Sequence, residues 1–199
     1  MSREFLIRRL AVRVSRKEAE ANRERIVEVA SKLYRKHGFE GIGVADIMKE
    51  AGLTHGGFYG HFSSKDDLAA EACTSAVRGS MDSWIGASEK AGFETVVRKY
   101  LTPQHRAGRA KGCLFAALGS DIVRQPRTVR HAMTEGFRTM IDKFARMLPG
   151  RSAEARRERA LATMAGLVGA LILSRAVDDS ELSDQILEAS AKTFVRPRF

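Results

Sequence analysis

The stretch between residues 38 and 68 constrains the fold of this chain more than any other part of the sequence. Apolar residues at helical spacing predict a short helix over residues 44–51, and Gly52 ends it. Leu53 is an apolar residue inside the turn that follows, and a third short helix is predicted over residues 55–61. A short helix, a turn containing glycine and a second short helix form a recurring supersecondary unit. The sequence therefore predicts a helix-turn-helix in this part of the chain.

Two capping boxes frame this unit. Ser15 and Glu18 are spaced so that the serine oxygen can accept a hydrogen bond from the third residue of a helix while the glutamate reaches back. They predict a first helix that begins at the serine and ends at Gly38, a residue type that commonly terminates helices. Ser64 and Asp67 repeat the spacing and predict the start of a long helix.

The remainder of the chain keeps helical spacing and shows no strand pattern. Proline is scarce, with 4 residues, and the abundant residue types favour helix. The predicted fold class is all-α with about nine helices, in which a three-helix helix-turn-helix domain precedes a larger helical domain. The later helices are predicted over residues 64–90, 93–101, 112–124, 126–148, 152–177 and 180–195.

The predicted domain organisation has three parts. Residues 1–14 are expected to form a basic flexible arm, residues 15–68 the helix-turn-helix domain, and residues 69–199 the second helical domain. The boundary between the two domains falls inside the long helix. A continuous helix at this point would couple the domains mechanically.

The charge balance indicates a polyanionic partner. A net charge of +10 and an isoelectric point near 10.1 favour nucleic acid first and anionic membranes second, with a basic protein lacking such a partner as the alternative. Cys73 and Cys113 have neither disulfide-framework nor metal-ligand spacing, so no metal and no cofactor are predicted. No secretory signal pattern and no uninterrupted apolar run of ~20 residues are found, so a cytoplasmic location and no membrane partner are expected.

The third short helix has an unusual composition for a structural element. Gly56, Gly57 and Gly60 each cost roughly 1 kcal/mol of helix stability relative to alanine. Glycines suit a backbone that must approach another surface closely. The major groove of DNA, about 12 Å wide, admits such a helix. Phe58 and Phe62 can anchor it inward. The alternative is a glycine-rich loop between two core helices.

The motif Thr-x-Gly-x-Phe-Tyr-x-His-Phe-x-x-Lys-Asp-x-Leu over residues 54–68 resembles the signature of the TetR/AcrR family of bacterial repressors. The similarity covers about residues 19–79 and is much weaker beyond them. The resemblance implies a homodimer of all-helical subunits whose second domain binds a small molecule and forms the dimer. It also implies binding to double-stranded DNA at an inverted-repeat operator, with release when the small-molecule effector binds.

Carried over residue by residue, the resemblance assigns DNA contacts to eight positions. Thr54 is expected to cap the short helix and to place its hydroxyl near a phosphate, and Lys65 to meet a phosphate beside the positive end of the long helix. Gly60 stands where many relatives carry a larger side chain, so the base sequence of the operator does not follow from the motif. Basic arms such as residues 1–14 can enter the minor groove, and an unstructured tail is the alternative. The predicted DNA-binding residues are Gly43, Val44, Thr54, His55, Gly57, Tyr59, His61 and Lys65.

The helix predicted over residues 152–177 carries small residues between large apolar ones, so it can pack closely and needs more than one partner. The resemblance implies that it forms a four-helix bundle with residues 180–195 across a dimer axis, and an internal core helix is the alternative. Two recognition helices about one turn of DNA apart, ~34–36 Å, would then read a palindrome. The residues predicted at the dimer interface are Leu161, Ala165, Leu167, Val168, Leu171, Ile186 and Leu187.

A ligand pocket is predicted among the helices between residues 64 and 148. Aromatic and methionine side chains with few charges there indicate an apolar or aromatic effector, and ordinary core packing is the alternative for each of them. The candidate pocket residues are Met81, Trp84, Phe93, Tyr100, Cys113, Phe115, Met133, Phe137 and Met140.

The predicted function is that of a ligand-responsive one-component transcriptional regulator, a repressor, and not an enzyme, since the chain carries no recognisable catalytic motif. Its effector is expected to shift the long helix and to move the two DNA-reading domains apart. One alternative is a helical thiol-dependent redox sensor or enzyme using Cys113, which would need a lowered thiol pKa; a buried structural thiol is the simpler interpretation. Another is a basic scaffold without specific DNA binding.

Overall fold

The computed structural model of the chain describes residues 15–86 and 92–195. Every regular element in these two ranges is helical, which confirms the all-α prediction, whereas the basic arm predicted over residues 1–14 lies outside them. Four shorter helical elements join the main helices: 3-10 helices at His55–Gly60, Arg109–Lys111 and Ile122–Arg124, and a π-helix at Asp82–Gly86. The nine α-helices of the described ranges are α1 Arg16–His37, α2 Val44–Glu50, α3 Lys65–Met81, α4 Phe93–Tyr100, α5 Pro103–Ala107, α6 Leu114–Leu118, α7 Arg127–Met147, α8 Ala153–Ala176 and α9 Ser180–Val195.

Helix α1 begins at the predicted capping box. The Ser15 hydroxyl oxygen accepts from the Glu18 N–H at 3.2 Å, and the Glu18 carboxylate accepts from the Ser15 N–H at 3.4 Å. Gly38 ends the helix with φ +79, as predicted. Tyr34 is buried and His37 is exposed, so the buried face of α1 does not reach the last residue of the helix.

Helix α3 begins as predicted but changes its helical type before residue 86, and residues 87–90 of the predicted range lie outside the described residues. The Ser64 hydroxyl accepts from the Asp67 N–H at 3.0 Å. The Asp67 carboxylate accepts from the N–H and hydroxyl of Ser63 rather than reaching back to Ser64, so the capping box is only half formed. The helix is α-helical to Met81 and continues as a π-helix to Gly86.

The sequence-based prediction fails between α4 and α7. The single helix predicted over residues 112–124 is replaced by the short α6 and a 3-10 turn, because Gly119 follows α6 and the chain turns there. Helix α5 was missed, although Thr102 caps it by accepting from the His105 N–H at 3.1 Å and Pro103 occupies its first turn. Helix α7 begins one residue later than predicted, because Pro126 occupies its N-cap position.

Helix α3 connects the N-terminal helices to the body of the molecule. It packs against α1 on one side and against α7 on the other. At the contact with α7, a Cβ atom on Gly136 would lie 2.7 Å from Cγ2 of Val77, which is too close for any residue other than glycine without a shift. The glycine therefore lets the two helices approach closely.

Helix α8 lies between α7 and α9 and carries an outer apolar face. It is 24 residues long with a mean hydropathy of 1.3 over an 18-residue window, so by length and composition alone it could cross a membrane. Only 39% of that window is buried in the subunit. Leu161, Ile172 and Leu173 are exposed by 39%, 40% and 56%. The subunit thus leaves part of this long apolar helix uncovered.

Candidate nucleic-acid interface

A tight glycine turn connects α2 to the exposed segment of residues 54–62. Gly52 has φ +70, in the left-handed region that strongly favours glycine. Its N–H donates to the Lys49 carbonyl at 3.0 Å, and the Leu53 N–H donates to the Met48 carbonyl at 2.9 Å. These bonds satisfy carbonyls at the end of α2 and reverse the chain direction. The predicted helix–glycine turn–helix geometry is present.

The 54–62 segment is anchored by two phenylalanines. Phe58 and Phe62 are 1% and 2% exposed, and their rings stack with centroids 5.7 Å apart. Tyr59, between them in sequence, is 72% exposed. The segment thus turns one face into the core and presents a large aromatic side chain on the other, as the sequence predicts.

The segment folds as a 3-10 helix rather than as an α-helix. Its glycines are not required by the packing of the subunit: a Cβ atom on Gly56 or Gly60 would meet nothing within 4 Å, and one on Gly57 would make only ordinary contacts. None of the three has a positive φ. Three backbone positions without a side chain in six residues would allow another molecule to approach closely.

The eight residues predicted to contact DNA lie on three consecutive elements: the start of α2, the 54–62 segment and the first turn of α3. None of them is buried: Val44, His61 and Lys65 are partly exposed, and the other five are exposed. Lys65 is the only basic residue in a first turn that also holds Asp66 and Asp67. A phosphate contact at this helix end therefore depends on the lysine.

Two of these positions have local constraints. The Gly43 N–H already donates to the Asp46 carboxylate at 3.3 Å, so a main-chain contact to phosphate at this point would have to compete with that bond. Thr54 occupies the cap position of the short helix, but its side chain makes no capping hydrogen bond. Its hydroxyl is available to another partner.

Sequence reasoning missed Arg23, which lies on α1. Its guanidinium donates to the His61 carbonyl at 3.1 Å and to the Glu71 carboxylate at 2.5 Å, and it lies 4.2 Å from the centroid of the Phe62 ring. The partners are 38 to 48 residues away along the chain, so no local motif could identify them.

Most of the predicted pocket residues are packed into the core. Trp84 and Tyr100 pack around the His105 ring, and Phe93 packs edge-on against Phe144. Cys113 and Met140 are buried as well. None of these five predicted pocket residues lines the cavity between α3 and α7 or the cavity between α6 and α7.

The remaining four candidates line two cavities. Met81 lines a groove of about 480 Å³ between α3 and α7, which also holds several charged side chains such as Glu71 and Glu135. A second cavity of about 360 Å³ lies between α6 and α7. It brings together the other three candidates with one charged side chain, its lining being Phe115, Gly119, Ile122, Val123, Arg130, Met133, Thr134 and Phe137.

The surroundings of Cys113 do not favour thiol chemistry. Its side chain is fully buried, and burial raises the pKa of the thiol above its ordinary value. Its N–H donates to Nε2 of His105 at 3.0 Å, so Nδ1 carries the imidazole proton and donates to the Tyr100 carbonyl at 2.7 Å. Burial lowers the pKa of His105 to about 4, and burial raises the pKa of Cys73 to about 12. Both cysteines are therefore protonated at neutral pH and shielded from reagents.

The structure corrects the predicted dimer interface at three positions. Leu167, Leu171 and Leu187 are at most 3% exposed within the subunit, so their side chains are not available to a second copy. Leu161 and Ala165 are exposed. Val168 and Ile186 are partly buried.

Comparison with known proteins places the similarity in the N-terminal part of the chain. The family model described as "Bacterial regulatory proteins, tetR family" matches residues 26–72. The HTH-type transcriptional regulators SAUSA300_2515 and SACOL2593 of Staphylococcus aureus strains USA300 and COL are each 47% identical to the chain over 53 residues. This match covers 27% of the chain and 29% of the length of those relatives.

Solved structures resemble the chain over most of its length. A TetR-family regulator from Agrobacterium tumefaciens gives a TM-score of 0.70 at 22% identity over 88% of this chain and 98% of its own. A second TetR-family regulator, from Cytophaga hutchinsonii, gives a TM-score of 0.73 at 18% identity over 88% of this chain and 94% of its own. The reduced form of E. coli NemR gives a TM-score of 0.69 at 19% identity over 87% of this chain and 95% of its own. At these identities the likeness concerns the fold alone.

Proposed function

We propose that the chain is a transcriptional regulator of the TetR family, as the match over residues 26–72 indicates, and that it is a cytoplasmic repressor that a small molecule releases from DNA. Two copies bind an inverted-repeat operator, each through its 54–62 segment. The chain acts by binding and not by catalysis. Its N-terminal domain spans residues 15–68, and residues 69–199 hold the effector and form the dimer.

The observation that carries this proposal is the arrangement of the 54–62 segment. A short helix buries Phe58 and exposes Tyr59, while its glycines leave the backbone open to an approaching surface. In a helix-turn-helix the second helix enters the major groove and the first crosses the backbone. We assign phosphate contacts to Thr54 and Lys65. We assign phosphate or base-edge contacts to His55, Tyr59 and His61, and backbone approach to Gly43, Val44 and Gly57.

Selection from randomised DNA tests this function. The protein is expected to enrich a duplex with two inverted half-sites whose centres lie about 10 base pairs apart or a multiple of that. Binding to the enriched duplex is expected to weaken steeply with salt, because log K falls by about 0.9 per unit of log salt concentration for each phosphate neutralised. Sequencing of the selected DNA shows the enrichment, and fluorescence anisotropy at several salt concentrations measures the affinity and its salt dependence. No enrichment, or a salt-independent affinity, would contradict the proposal.

The dimer proposal rests on the outer face of α8. Leu161, Ala165, Val168 and Ile172 recur at spacings of four, three and four, so they share one helix face. A helix face that remains in solvent is usually polar, whereas this face is apolar. Alanine and glycine residues along α8 allow another helix to approach it closely. On α9, the exposed Leu182 extends the same kind of surface. A second copy of the chain is the partner we propose for it.

Replacing Ile172 by glutamate is expected to convert the dimer into a monomer, because a carboxylate buried at an apolar interface has no partner. Light scattering after gel filtration measures the change from twice the chain mass to 22.0 kDa. Gln104→Glu adds the same charge at an exposed position of α5 and should leave the dimer intact. A wild-type protein that is monomeric at micromolar concentration would contradict the dimer proposal.

We assign the effector to the cavity between α6 and α7. Phe115, Met133 and Phe137 give it an apolar and aromatic wall, and a volume of about 360 Å³ suits a small compound. Because α7 packs on α3, a ligand that moves α7 can move the DNA-reading domain. The ligand must bind more tightly to the state that has left DNA.

A thermal-shift screen of small aromatic compounds tests this assignment. A compound that raises the melting temperature is expected to lower the affinity for the enriched duplex as well. Thr134→Trp, which fills the cavity from its exposed rim, should abolish both effects of the compound and leave DNA binding intact. A compound whose effects survive this substitution binds elsewhere, and that result would contradict the assignment.

A further inference from the structure

Arg23 joins three elements at the end of the 54–62 segment. It projects from α1, donates to the carbonyl of His61, pairs with Glu71 on α3 and lies over the ring of Phe62. We infer that Arg23 is a positioning residue for DNA recognition: it fixes the segment relative to α1 and α3 without contacting DNA. This inference rests on the proposed DNA binding by the segment.

The contacts of Arg23 reach the DNA-facing side chains through a short chain of packed groups. The carbonyl that it binds belongs to His61, one of the residues assigned to DNA. The Phe62 ring beneath it stacks on Phe58, whose ring lies edge-on to Tyr59 with centroids 5.2 Å apart. A change in the position of the guanidinium therefore moves the groups that hold the DNA-facing side chains.

A guanidinium is required for this set of contacts. Its planar fork can donate in two directions while its face lies on an aromatic ring, and a lysine ammonium is a point charge that cannot do all three at once. Glu71 orients the fork, since its carboxylate takes one nitrogen while the other reaches the His61 carbonyl. Arg23→Lys should therefore restore only part of the function.

Stability and positioning can be separated at this site. The side chains of Arg23 and Glu71 are 36% and 40% exposed, and ion pairs this exposed contribute little to folding stability. Recognition of bases, in contrast, depends on placing side chains to within about 0.5 Å. Loss of Arg23 should therefore impair DNA recognition far more than it lowers the melting temperature.

The experiment compares Arg23→Gln, Arg23→Lys and Glu71→Gln with the wild type. Arg157→Gln is the matched control, because Arg157 pairs with Asp142 across α8 and α7 at 2.6 Å with similar exposure. The DNA probes are the duplex enriched by the wild type and a scrambled duplex of the same base composition. Anisotropy gives both dissociation constants and their salt dependence, and circular dichroism gives the melting temperature.

Arg23→Gln is expected to weaken binding to the enriched duplex at least ten-fold. Its affinity for the scrambled duplex and its salt dependence should not change. Arg23→Lys and Glu71→Gln should lie between this variant and the wild type, and Arg157→Gln should match the wild type.

Three results would overturn the inference. If Arg23→Gln lost equal affinity for both duplexes and showed a shallower salt dependence, Arg23 would be a phosphate contact. Binding that falls only in step with the melting temperature would make its role merely structural. If Arg23→Gln distinguished the enriched from the scrambled duplex as well as the wild type does, Arg23 would have no role in recognition. If the wild type itself enriches no duplex, the proposed function fails instead, so the two failures are distinguishable.

Discussion

Replacing Tyr59 by alanine is expected to raise the dissociation constant for the enriched duplex by about 10- to 100-fold. A well-placed side-chain contact to DNA is worth about 1–3 kcal/mol, and each 1.4 kcal/mol is a factor of ten. Tyr59 is 72% exposed, so its loss should lower the free energy of unfolding by at most about 0.5–1.5 kcal/mol, the contribution of its edge-on contact with Phe58. Anisotropy titrations and chemical denaturation measure the two quantities on the same protein.

The control for Tyr59→Ala is Gln104→Ala, which truncates an exposed side chain on α5, in the second helical domain. It should bind the enriched duplex like the wild type. If Tyr59→Ala also binds like the wild type, the exposed tyrosine does not contact DNA, and the orientation proposed for the 54–62 segment is wrong.

Replacing Phe58 by alanine should have the largest effect on stability. Phe58 is 1% exposed, and removing a buried phenylalanine ring costs about 3–5 kcal/mol through lost burial and the cavity left behind. The segment around it has three glycines and a 3-10 helix of only six residues, so its intrinsic stability cannot replace the lost anchor. Denaturant unfolding monitored by circular dichroism measures the loss.

Phe58→Leu separates packing from the aromatic ring. Leucine keeps much of the apolar volume, so this variant should lose clearly less stability than Phe58→Ala. Hydrogen exchange should show early loss of protection in the 54–62 segment of the alanine variant before the body of the molecule opens. Equal stability of the alanine variant and the wild type would mean that the segment is not held by this anchor.

The N-terminal helices could be predicted from sequence because their signals are local. The capping box at Ser15 and the glycines that end α1 and α2 act over a few residues, and the structure confirms them. The same reasoning failed over residues 101–124. There, short helices are set by packing around His105 and by Gly119, and five-residue helices are too short to show a periodic pattern.

The faces of helices could be predicted less well than the helices themselves. Helix α8 is apolar nearly all round, so its sequence could not tell that Leu167 and Leu171 point into the subunit while Ile172 points outward. In the 54–62 segment, the alternation of Phe58 and Tyr59 gave the inward and outward faces correctly. Arg23 could not be found, because its role arises from partners on distant parts of the chain.

A tilt of α3 about its close contact with Gly136, taken as the pivot, would move the far end of the helix most. The helix has 17 residues, and Val77 lies 12 residues after Lys65, which is roughly 18 Å along the axis at about 1.5 Å per residue. A tilt of about 10° at the pivot then carries the lysine end sideways by roughly 3 Å. This displacement approaches the rise of about 3.4 Å between successive nucleotides of one DNA strand. Over this length, a small rotation of α3 would therefore become a shift of nearly one base pair at its lysine end.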